Sequence, residues 1–421
     1  MTHEKIILAT EGKENQRSID TYLANGGYTA IKKAAKMDRK AIIDLVKASG
    51  LRGRGGAGFP TGLKWSFVPP DDGKPKYLIC NNDESEPGTF KDRHISSVNP
   101  HMIIEGMLIG GYTVGAEKGY IYSRWEFQLE IGYLEQAIKE AYEAGFLGQN
   151  IFGSGINFEL DHYSGAGAYI CGEETGLISS LEGKKGQPKL KPPFPALEGY
   201  LRRPTVVNNT ETFCNIPHII THGAEVFRRY GTEKSPGTKL FSISGALNRP
   251  GVYEVPLGYS LKKLIEEDCG GLKDGKKIKA VVPGGMSAPL LMPAQVETAT
   301  LDYECMQEMG SMLGSGAIMI IDDQQDVVDL LRITTDFFAH ESCGQCTPCR
   351  EGTGWLKNLV NGILEGTEGP AAVDRIYQVA DHMEGRTICA LSDAAAWPAK
   401  SYVKNFGEEI KAYIEKKGNR A

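Results

Sequence analysis

The chain has no apolar segment long enough to cross a bilayer. Its most apolar stretches, residues 102–114 and 314–321, are short or have charged residues close by, whereas a transmembrane helix needs about twenty apolar residues. The opening sequence MTHEKIILATEG also lacks the apolar core of a secretory signal, so we expect a reducing, cytosolic environment. Direct membrane insertion is not expected, and any membrane role must depend on partner subunits.

An excess of positive charge is missing as well. The 47 Lys and Arg residues are outnumbered by 53 Asp and Glu, which gives a net charge of −6 and no basic field for nucleic acid. The nine cysteines are few for 421 residues and odd in number, which argues against a disulfide framework. The hydrophobic content of 41% is nevertheless ample for the cores of several domains.

Three of the nine cysteines are regularly spaced. Cys343, Cys346 and Cys349 stand three residues apart in the stretch ESCGQCTPCREG, and Cys389 follows in a separate segment. Three thiolates at this spacing can bind three corners of one small cube, and a fourth thiolate from elsewhere can bind the last corner. The pattern predicts a [4Fe–4S] cluster.

Other interpretations of these cysteines stay open at this point. Structural zinc also takes four cysteines, although usually as two separated C-x-x-C pairs, and a redox-active thiol group is a further alternative. The fourth ligand is less constrained than the first three, because Thr353 stands where the ferredoxin pattern would place a cysteine. We expect Cys389 to be the fourth ligand, with His340 and Cys305 as alternatives. The other cysteines are predicted to be small buried hydrophobic residues: Cys80, Cys171, Cys214, Cys269 and Cys305.

Helical and strand-like patterns alternate in the first half of the chain, which predicts an α/β layer with several parallel strands. Asp38 is a plausible N-cap for one of the helices. The predicted elements are helices at 30–35, 38–49, 101–114 and 134–144 and strands at 77–80 and 118–123.

The second half changes character twice. Residues 183–205 are rich in Pro, Gly and Lys and are predicted to form an extended surface strap. A small α+β domain follows, and the remainder is helical, with predicted helices at 327–341, 352–366, 371–383 and 401–417 and the cluster cysteines between the first two. These patterns divide the chain into domains at 1–235, 236–325 and 326–421.

A glycine-rich loop at residues 53–62 includes the expression G-x-G-x-x-G. Because it follows an amphipathic helix and not a strand, a standard Rossmann site is rejected. The glycines would still let backbone N–H groups approach a phosphate or a planar ring, and Arg52, Arg54 and Lys64 add positive charge. A tight loop that only stabilises a domain corner is the alternative.

Three more segments point to the same kind of ligand. Residues 81–86 place amides and carboxylates after a predicted strand, where ligands bind in α/β sheets, although a divalent metal is a competing interpretation. Residues 165–174 combine glycines with Glu173 and Glu174, for which ordinary helix capping is the alternative. Residues 205–209 (TVVNN) could bracket a flavin. Together the segments predict a site for a large, planar, phosphorylated cofactor.

The motifs as a set resemble a known family. GRGGAGFPTGLKW, ESEPGTFKDR, YICGEET, LKPPFPA, PTVVNN and ESCGQCTPCREGT occur in order over nearly the whole chain and are similar to those of the NADH-binding flavoprotein subunit of respiratory complex I. Related diaphorase subunits of hydrogenases and formate dehydrogenases share these motifs. Asn82 and Thr210 depart from the family, since smaller or apolar residues are commoner at these positions.

The resemblance implies site residues, each by its matching position. It assigns FMN to Gly53, Arg54, Gly55, Lys64, Asn81, Asp83, Glu84, Ser85, Tyr169, Gly172, Glu173, Val207, Asn208, Asn209 and Leu391. It assigns NADH to Gly56, Phe59, Phe67, Glu86, Glu174, Lys191 and Phe194, and the [4Fe–4S] cluster to Cys343, Cys346, Cys349 and Cys389. It also implies an α/β FMN- and NADH-binding domain, a small β-grasp domain resembling soluble-ligand-binding domains, and a C-terminal helical bundle that carries the cluster.

The implied activity is hydride transfer from NADH to FMN, followed by release of single electrons to the cluster. Glu84, Glu86 and Glu174 are expected to position the nicotinamide and to repel the 2′-phosphate of NADPH. The implied partners are a thioredoxin-fold [2Fe–2S] subunit and a large multi-cluster iron–sulfur subunit, with quinone reached only through the complex. The chain would then lie peripherally on the cytoplasmic side of the inner membrane.

Three other functions are open to the sequence. The same electron-input module could serve an NAD-linked hydrogenase or formate dehydrogenase. The chain could also be an iron–sulfur scaffold with a vestigial flavin site, or a zinc-stabilised nucleotide-binding module. The complete glycine loop, Lys64, Glu84 and Glu86 argue against a vestigial site.

Overall fold

The computed structural model describes residues 4–70 and 73–418. A five-stranded sheet in the first half has the order β3–β4–β2–β1–β5, in which β3 is antiparallel to β4 and the other pairs are parallel. The predicted parallel α/β layer and both predicted strands are confirmed. The strands are β1 (Tyr77–Asn82), β2 (Lys118–Ser123), β3 (Gly148–Ile151), β4 (Ile156–Ser164) and β5 (Thr205–Asn209).

Helices cover this sheet, and all four helices predicted in this region are present. The Asp38 carboxylate accepts the N–H groups of Lys40 and Ala41, which confirms the predicted N-cap. The helices are α1 (Ile19–Ala24), α2 (Thr29–Ala34), α3 (Arg39–Ser49), α4 (Thr61–Trp65), α5 (Lys91–Val98), α6 (Pro100–Val114), α7 (Gln128–Glu143), α8 (Glu174–Leu181), α9 (Thr210–His222) and α10 (Ala224–Phe227). Short 3₁₀ turns lie at Tyr169–Gly172 and Tyr200–Arg202.

Helix α6 is buried on nearly all sides because it packs between the sheet and α9. A helix in such a position needs apolar residues all around, which explains why this stretch is among the most apolar in the chain. Within residues 4–70 and 73–418, no helix combines the length and the apolar character needed to span a bilayer.

A second, four-stranded mixed sheet follows the strap. Its order is β7–β6–β9–β8, with β6 parallel to β9 and the two outer pairs antiparallel. The strands are β6 (Thr238–Ser244), β7 (Gly251–Pro256), β8 (Ile278–Val282) and β9 (Ala317–Asp322). The helices are α11 (Leu261–Lys263), which continues into a π turn at Leu264–Asp268, α12 (Pro293–Val296) and α13 (Tyr303–Glu308). The predicted α+β unit is confirmed, and it has a hydrophobic core of its own.

The C-terminal region is helical as predicted, but two helix starts were placed wrongly. The helices are α14 (Val327–Glu341), α15 (Thr347–Glu365), α16 (Ala372–Met383) and α17 (Leu391–Gly418). Helix α15 begins five residues early because Pro348 occupies its first turn, where proline is tolerated, so Cys349 lies inside the helix. Helix α17 begins ten residues early and continues through Pro398, whereas the predicted helix started only after this proline.

Residues between α8 and the turn at Tyr200 have no regular helix or strand, as expected for an extended strap. Two contacts tie this strap to the cysteine region: Gln187 Nε2 donates to the carbonyl oxygen of Cys343 at 3.2 Å, and Lys185 Nζ donates to the same oxygen at 3.4 Å. The strap is therefore held against the helical region.

Candidate cofactor-binding site

The glycine loop lies between α3 and α4 and is closed on itself. Gly53 N–H donates to the carbonyl oxygen of Phe59 at 2.9 Å. Gly56 and Gly58 have φ of +138° and +65°, values that favour glycine. A Cβ at Gly55 would lie 3.0 Å from Cβ of Asn209, so the loop backbone approaches the end of β5 closely. The loop follows a helix and not a strand, as the sequence indicated.

The carboxyl ends of β1 and β5 lie side by side, since Asn81 pairs with Asn209 in the parallel register. Asn81 also donates from Nδ2 to the carbonyl oxygen of Gly172 at 2.8 Å. All four segments expected to bind the cofactor therefore meet at one edge of the sheet: the glycine loop, residues 81–86, the 169–174 turn and residues 205–209. This edge is where α/β sheets bind ligands.

Two buried polar groups at this edge have bonding capacity that the described residues leave unused. Arg54 is fully buried, and its Nε and Nη1 have no hydrogen-bond partner, while Nη2 donates to the carbonyl oxygen of Pro236 at 2.9 Å. Asp83 accepts from Ser85 Oγ at 2.7 Å, but its Oδ2 has no partner. Buried polar atoms are normally hydrogen-bonded. Spare guanidinium donors and a glycine backbone fit an anionic phosphate, so the residues present fit FMN.

The carboxyl group of Asp83 is poised between its two protonation states. Burial raises the pKa of Asp83 to about 7, and the hydrogen bond from Ser85 offsets only part of this effect. A carboxyl group with such a pKa can accept a hydrogen bond as a carboxylate or donate one as an acid near neutral pH.

Glu84 and Glu173 both have structural contacts. The Glu84 carboxylate accepts the N–H groups of Asp92 and Arg93 at 2.8 and 3.0 Å, at the start of α5. Glu173 accepts the N–H groups that begin α8, at 2.8 and 2.9 Å. The helix-capping interpretation considered for Glu173 is therefore present in the structure. Contacts of either residue with a cofactor stay predictions.

Glu86 is held by groups from two different parts of the chain. Its Oε2 accepts from Tyr169 Oη at 2.6 Å, and its Oε1 accepts from both N–H and Oγ of Ser287 at 2.7 Å. Burial raises the pKa of Glu86 above its ordinary value, against the effect of these bonds. No sequence motif pointed to Ser287, which lies in the second unit.

Glu174 has cationic partners instead. Its oxygens lie 3.1 Å from Nζ of Lys64 and 2.9 Å from Nζ of Lys191, which the strap brings in. Burial alone would raise the pKa of Glu174, but the two ammonium groups outweigh burial and lower it. Lys64 Nζ also donates to the carbonyl oxygen of Val207 at 3.1 Å. Lys64, which is predicted to bind FMN, and Glu174 and Lys191, which are predicted to bind NADH, thus form one charged group beside the loop.

The three phenylalanines that the resemblance assigns to NADH are exposed. Phe59, Phe67 and Phe194 have exposed fractions of 43%, 50% and 55%. The rings of Phe59 and Phe67 lie 6.3 Å apart between centroids. Their exposure leaves ring faces free for a planar ligand.

The side-chain amides of Asn208 and Asn209 already make hydrogen bonds within the protein. Asn208 Oδ1 accepts from Trp65 Nε1 at 2.9 Å, and Asn209 Oδ1 accepts the N–H of Glu211 as the N-cap of α9. The two residues that depart from the family bond to each other, because Thr210 Oγ1 donates to Asn82 Oδ1 at 3.0 Å. Thr210 Oγ1 also lies 3.3 Å from the carbonyl oxygen of Asn81, which is a predicted FMN residue.

All four predicted cluster cysteines line one cavity. Its other wall residues are Ile170, Pro188, Gln345, Thr387, Ile388 and Leu391. The alternative ligands lie elsewhere: the His340 side chain is 85% exposed, and Cys305 is in α13, where its sulfur accepts the N–H of Thr300. Cys305 is also only partly buried, unlike the other four isolated cysteines, so its predicted burial was wrong.

The cysteines surround the cavity without meeting at a point. Across residues 4–70 and 73–418, no three or more His, Cys, Asp or Glu side chains are gathered in a way that could hold a single metal ion. Burial raises the pKa of Cys389 to about 11, so iron must displace a proton from this thiol on binding.

The cysteine cavity shares a wall with the edge of the first sheet that is predicted to bind FMN, called here the flavin edge. Ile170 lines the cysteine cavity and is the neighbour of Tyr169, which bonds to Glu86. Leu391, which the resemblance assigns to FMN, also lines the cavity. The two predicted cofactor sites are therefore adjacent, separated by the turn at Tyr169–Gly172.

Family models match three consecutive parts of the chain. A model described as the Nuo51 FMN-binding domain matches residues 46–218, and one described as the SLBB domain matches residues 240–290. A model described as the NADH-ubiquinone oxidoreductase-F iron-sulfur binding region matches residues 329–413. These matches agree with the order of the α/β unit, the second unit and the helical region, and with FMN and a [4Fe–4S] cluster as cofactors.

Individual relatives match over nearly the whole length. The chain is 48% identical over 415 residues to an NADH-quinone oxidoreductase F subunit of Rhizobium meliloti (strain 1021), covering 98% of each. It is 46% identical over 413 residues to the NADH-quinone oxidoreductase F subunit of Streptomyces coelicolor, covering 98% of this chain and 92% of that protein. A solved chain of NAD⁺-reducing [NiFe]-hydrogenase in the H₂-reduced state superposes with a TM-score of 0.84 at 34% identity, covering 98% of this chain and 67% of that chain. The site geometry, the matching family models and these identities place the chain in the family of NADH-quinone oxidoreductase F subunits.

Proposed function

We propose that the chain is the electron-input subunit of an NADH-quinone oxidoreductase, or complex I, which oxidises NADH and passes single electrons to a [4Fe–4S] cluster. The observation that carries this proposal is the shared wall, in which Tyr169 faces the flavin edge through its bond to Glu86 while Ile170 lines the four-cysteine cavity. FMN, when bound, supplies the conversion of a two-electron hydride transfer into single-electron steps. This conversion requires two adjacent cofactor sites.

The protein's part is to bind and orient. Arg54 and the glycine loop hold the phosphate of FMN, because the free guanidinium donors of Arg54 are buried and the loop backbone beside them is accessible at Gly55. Asn81, Asp83 and Ser85 hold polar groups of the flavin at the end of β1. The other FMN contacts follow the assignment by resemblance given above, and Cys343, Cys346, Cys349 and Cys389 bind the cluster.

NADH is proposed to lie over the charged group and the exposed rings. Lys191 and Glu174 are ion-paired in the structure, so the nucleotide must partly exchange contacts with this pair on binding. Phe59, Phe67 and Phe194 stack on adenine. Glu86 and Glu174 orient the nicotinamide and disfavour an additional phosphate. Glu84 is proposed to act with them, although the structure has its carboxylate capping α5.

Replacing Glu86 by glutamine is expected to relax the preference for NADH over NADPH. The amide keeps the size of the side chain but removes a negative charge that repels the 2′-phosphate, and a change of about 1.4 kcal/mol corresponds to tenfold in relative kcat/KM. Steady-state kcat/KM with both nucleotides and an artificial acceptor measures this change. The amide oxygen can keep both bonds from Ser287, and the amide NH2 can donate to Tyr169 Oη in place of the bond that Oε2 accepts, so the fold should be preserved.

Glu159→Gln is the matched control. It makes the same charge change on β4, where the carboxylate is half exposed and pairs only with the surface residue Lys118 among the contacts described. The control should leave the ratio of the two kcat/KM values unchanged. An unchanged ratio in the Glu86 variant would rule out its role in nucleotide choice.

The finer architecture is also part of the proposal. Residues 1–235 form the FMN- and NADH-binding domain, 236–325 a β-grasp domain and 326–421 the cluster domain. The four-stranded mixed sheet with short helices supports a β-grasp arrangement for the middle unit. Helix α10 ends at Phe227 and strand β6 begins at Thr238, so the proposed boundary at residue 235 falls in the segment that joins them.

Electrons must leave the chain through partners. Of the described cysteines, those outside the cavity are dispersed, so they do not form a second set of cluster ligands. We propose a thioredoxin-fold [2Fe–2S] subunit and a large multi-cluster iron–sulfur subunit as acceptors, with this chain lying peripherally on the cytoplasmic side of the inner membrane as part of the complex. A diaphorase subunit of an NAD-linked hydrogenase is the second candidate, and the superposition on an NAD⁺-reducing hydrogenase chain favours it. The proteins that co-purify with the chain separate these two assemblies.

The test of the activity is anaerobic reduction of the reconstituted protein by NADH, followed by optical and low-temperature EPR spectra of one sample. Loss of flavin absorbance together with a reduced [4Fe–4S] signal is the expected result. Flavin-loaded protein that NADH does not bleach would contradict the proposal. Bleaching without an EPR signal calls for iron analysis, and a low iron content would contradict the cluster assignment.

A further inference from the structure

The second unit, matched by the SLBB model, reaches into the glycine loop of the first. Lys239, on β6, is fully buried and donates from Nζ to the carbonyl oxygen of Arg54 at 3.1 Å. Tyr303, on α13, donates from Oη to the carbonyl oxygen of Gly53 at 2.9 Å. Two consecutive carbonyl groups of the loop are thus held from outside the flavin-binding unit.

These bonds fix the orientation of the loop's peptide planes. In a trans peptide the C=O and N–H groups point in opposite directions. The peptide between Gly53 and Arg54 is held at both ends, by Tyr303 and by Thr212 Oγ1, which accepts the Arg54 N–H at 2.9 Å. The peptide between Arg54 and Gly55 has its C=O directed at Lys239, so the N–H of Gly55 is directed away from Lys239.

Lys239 is part of a buried charge cluster that spans the two units. Its Nζ lies 3.3 Å from Oε2 of Glu211, which also lies 2.8 Å from Nζ of Lys91, and Lys91 lies 2.8 Å from Oδ1 of Asp92. Together with Arg54, three cationic side chains are buried here, and the acids of the cluster are Glu211, Asp92 and Glu84. Arg54 lies in the loop and Lys239 bonds to its carbonyl oxygen, so an anion bound at the loop would lie beside buried positive charge, which is costly unless it is compensated.

We propose that Lys239 is a positioning residue for the phosphate of FMN: through the carbonyl oxygen of Arg54 it directs the N–H of Gly55 toward the phosphate and adds positive charge behind the loop. The proposal rests on FMN binding at the loop, as argued above. It makes the SLBB unit a structural part of the flavin site, with Tyr303 as its second contact.

The protonation state of Lys239 should tune this effect. Burial lowers the pKa of Lys239 to about 7; Lys91 and Arg54 act in the same direction, whereas Glu211 and Asp92 oppose it. Glu84, beside Asp92, is the further acid of this cluster. Below pH 7 the ammonium form dominates and supports an anionic ligand, and above pH 7 that support is lost. FMN affinity that depends on Lys239 should therefore fall between pH 6 and pH 8.5.

The experiment compares FMN with riboflavin, which lacks the phosphate. The dissociation constants of both flavins are measured by fluorescence quenching on the flavin-depleted full chain, for the unmodified protein and for Lys239→Met. We expect the variant to weaken FMN binding at least tenfold at pH 6.5 and riboflavin binding less than twofold. The dissociation constant of FMN for the variant, divided by that for the unmodified protein, should be smaller at pH 8.5 than at pH 6.5. Titration of the FMN phosphate itself does not change this ratio, because it affects both proteins equally.

Two further variants keep the test decisive. Lys279→Met removes a surface ion pair between the second unit and α17 without touching the loop, and it should leave both dissociation constants unchanged. Tyr303→Phe removes only the bond to the Gly53 carbonyl, and it should weaken FMN binding severalfold but not riboflavin binding, even if Lys239→Met fails to fold. Equal weakening of both flavins, or unchanged FMN binding in Lys239→Met or Tyr303→Phe, would overturn the proposal.

The proposed enzymatic function fails in a different way. If Lys239→Met weakens FMN binding but NADH does not reduce the flavin of the unmodified protein, the positioning role stands and the dehydrogenase assignment is wrong. If NADH reduces the flavin but FMN affinity does not depend on Lys239, the dehydrogenase assignment stands and the positioning role is wrong. An unmodified protein that binds no flavin would overturn both.

Discussion

Cys389→Ser will remove the iron–sulfur cluster and lower NADH-dependent quinone reduction by the assembled complex at least a hundredfold, while NADH still bleaches the flavin. Cys389 is the ligand that the sequence spacing constrains least, and the structure places it in the wall of the cavity with the other three cysteines. A serine hydroxyl is a far weaker iron ligand than a thiolate, because it does not ionise near neutral pH. Iron content and the EPR signal of the purified variant measure the loss directly.

The matched control is Cys305→Ser, because Cys305 was an alternative fourth ligand. Its sulfur accepts the N–H of Thr300 inside the second unit, and a serine oxygen can accept the same bond. The control should keep its iron content and its EPR signal. Loss of iron from the Cys305 variant with retention in the Cys389 variant would show that the fourth ligand has been assigned to the wrong residue.

The parts of the site that the sequence predicts well are those whose residues are local to one motif. The strand at 77–80, followed by polar residues, predicts a ligand edge because parallel strands present their carboxyl ends together. The register of Asn81 with Asn209 then brings two such motifs into contact. The spacing of Cys343, Cys346 and Cys349 works in the same way, since all three lie within two turns of chain.

Contacts between distant segments could not be predicted in this way. Ser287, Lys239 and Tyr303 all reach the flavin edge from the second unit, and nothing in their local sequence distinguishes them from ordinary polar residues. Their positions depend on how two separately folded sheets pack, which a pattern of apolar residues does not specify. A lysine buried in a strand is a clue only once its burial is known.

Helix ends were a second source of error. Local sequence did not indicate that the Glu84 carboxylate, which stays a predicted cofactor contact, also accepts N–H groups of a helix that begins seven residues later in the chain. The predicted helices near Pro348 and Pro398 started only after these prolines, although the first proline lies in a first turn and the second within a long helix. Capping and proline tolerance depend on three-dimensional neighbours, so local rules place helix ends only approximately.

The packing that supports the site should be most sensitive where two helices touch through a glycine. Gly106 lies in α6, and a Cβ added there would overlap the backbone carbonyl group of Phe213 in α9. Because backbone atoms cannot move aside as a flexible side chain can, the two helices would have to separate. Gly106→Ala is therefore expected to destabilise the protein by about 3 kcal/mol or more, above the usual cost of an overpacked core.

Gly132→Ala separates this clash from the intrinsic effect of the substitution. Gly132 is in the middle of α7, is exposed and has no atom within 4 Å of an added Cβ, so alanine there should stabilise the helix by about 0.5–1 kcal/mol. Both variants gain the same helix propensity, and the opposite signs of their effects would isolate the contact between α6 and α9. Urea unfolding midpoints, followed by circular dichroism at a fixed FMN concentration, measure both changes. An unfolding midpoint of Gly106→Ala equal to or above that of the unmodified protein would show that α6 and α9 do not pack through this glycine.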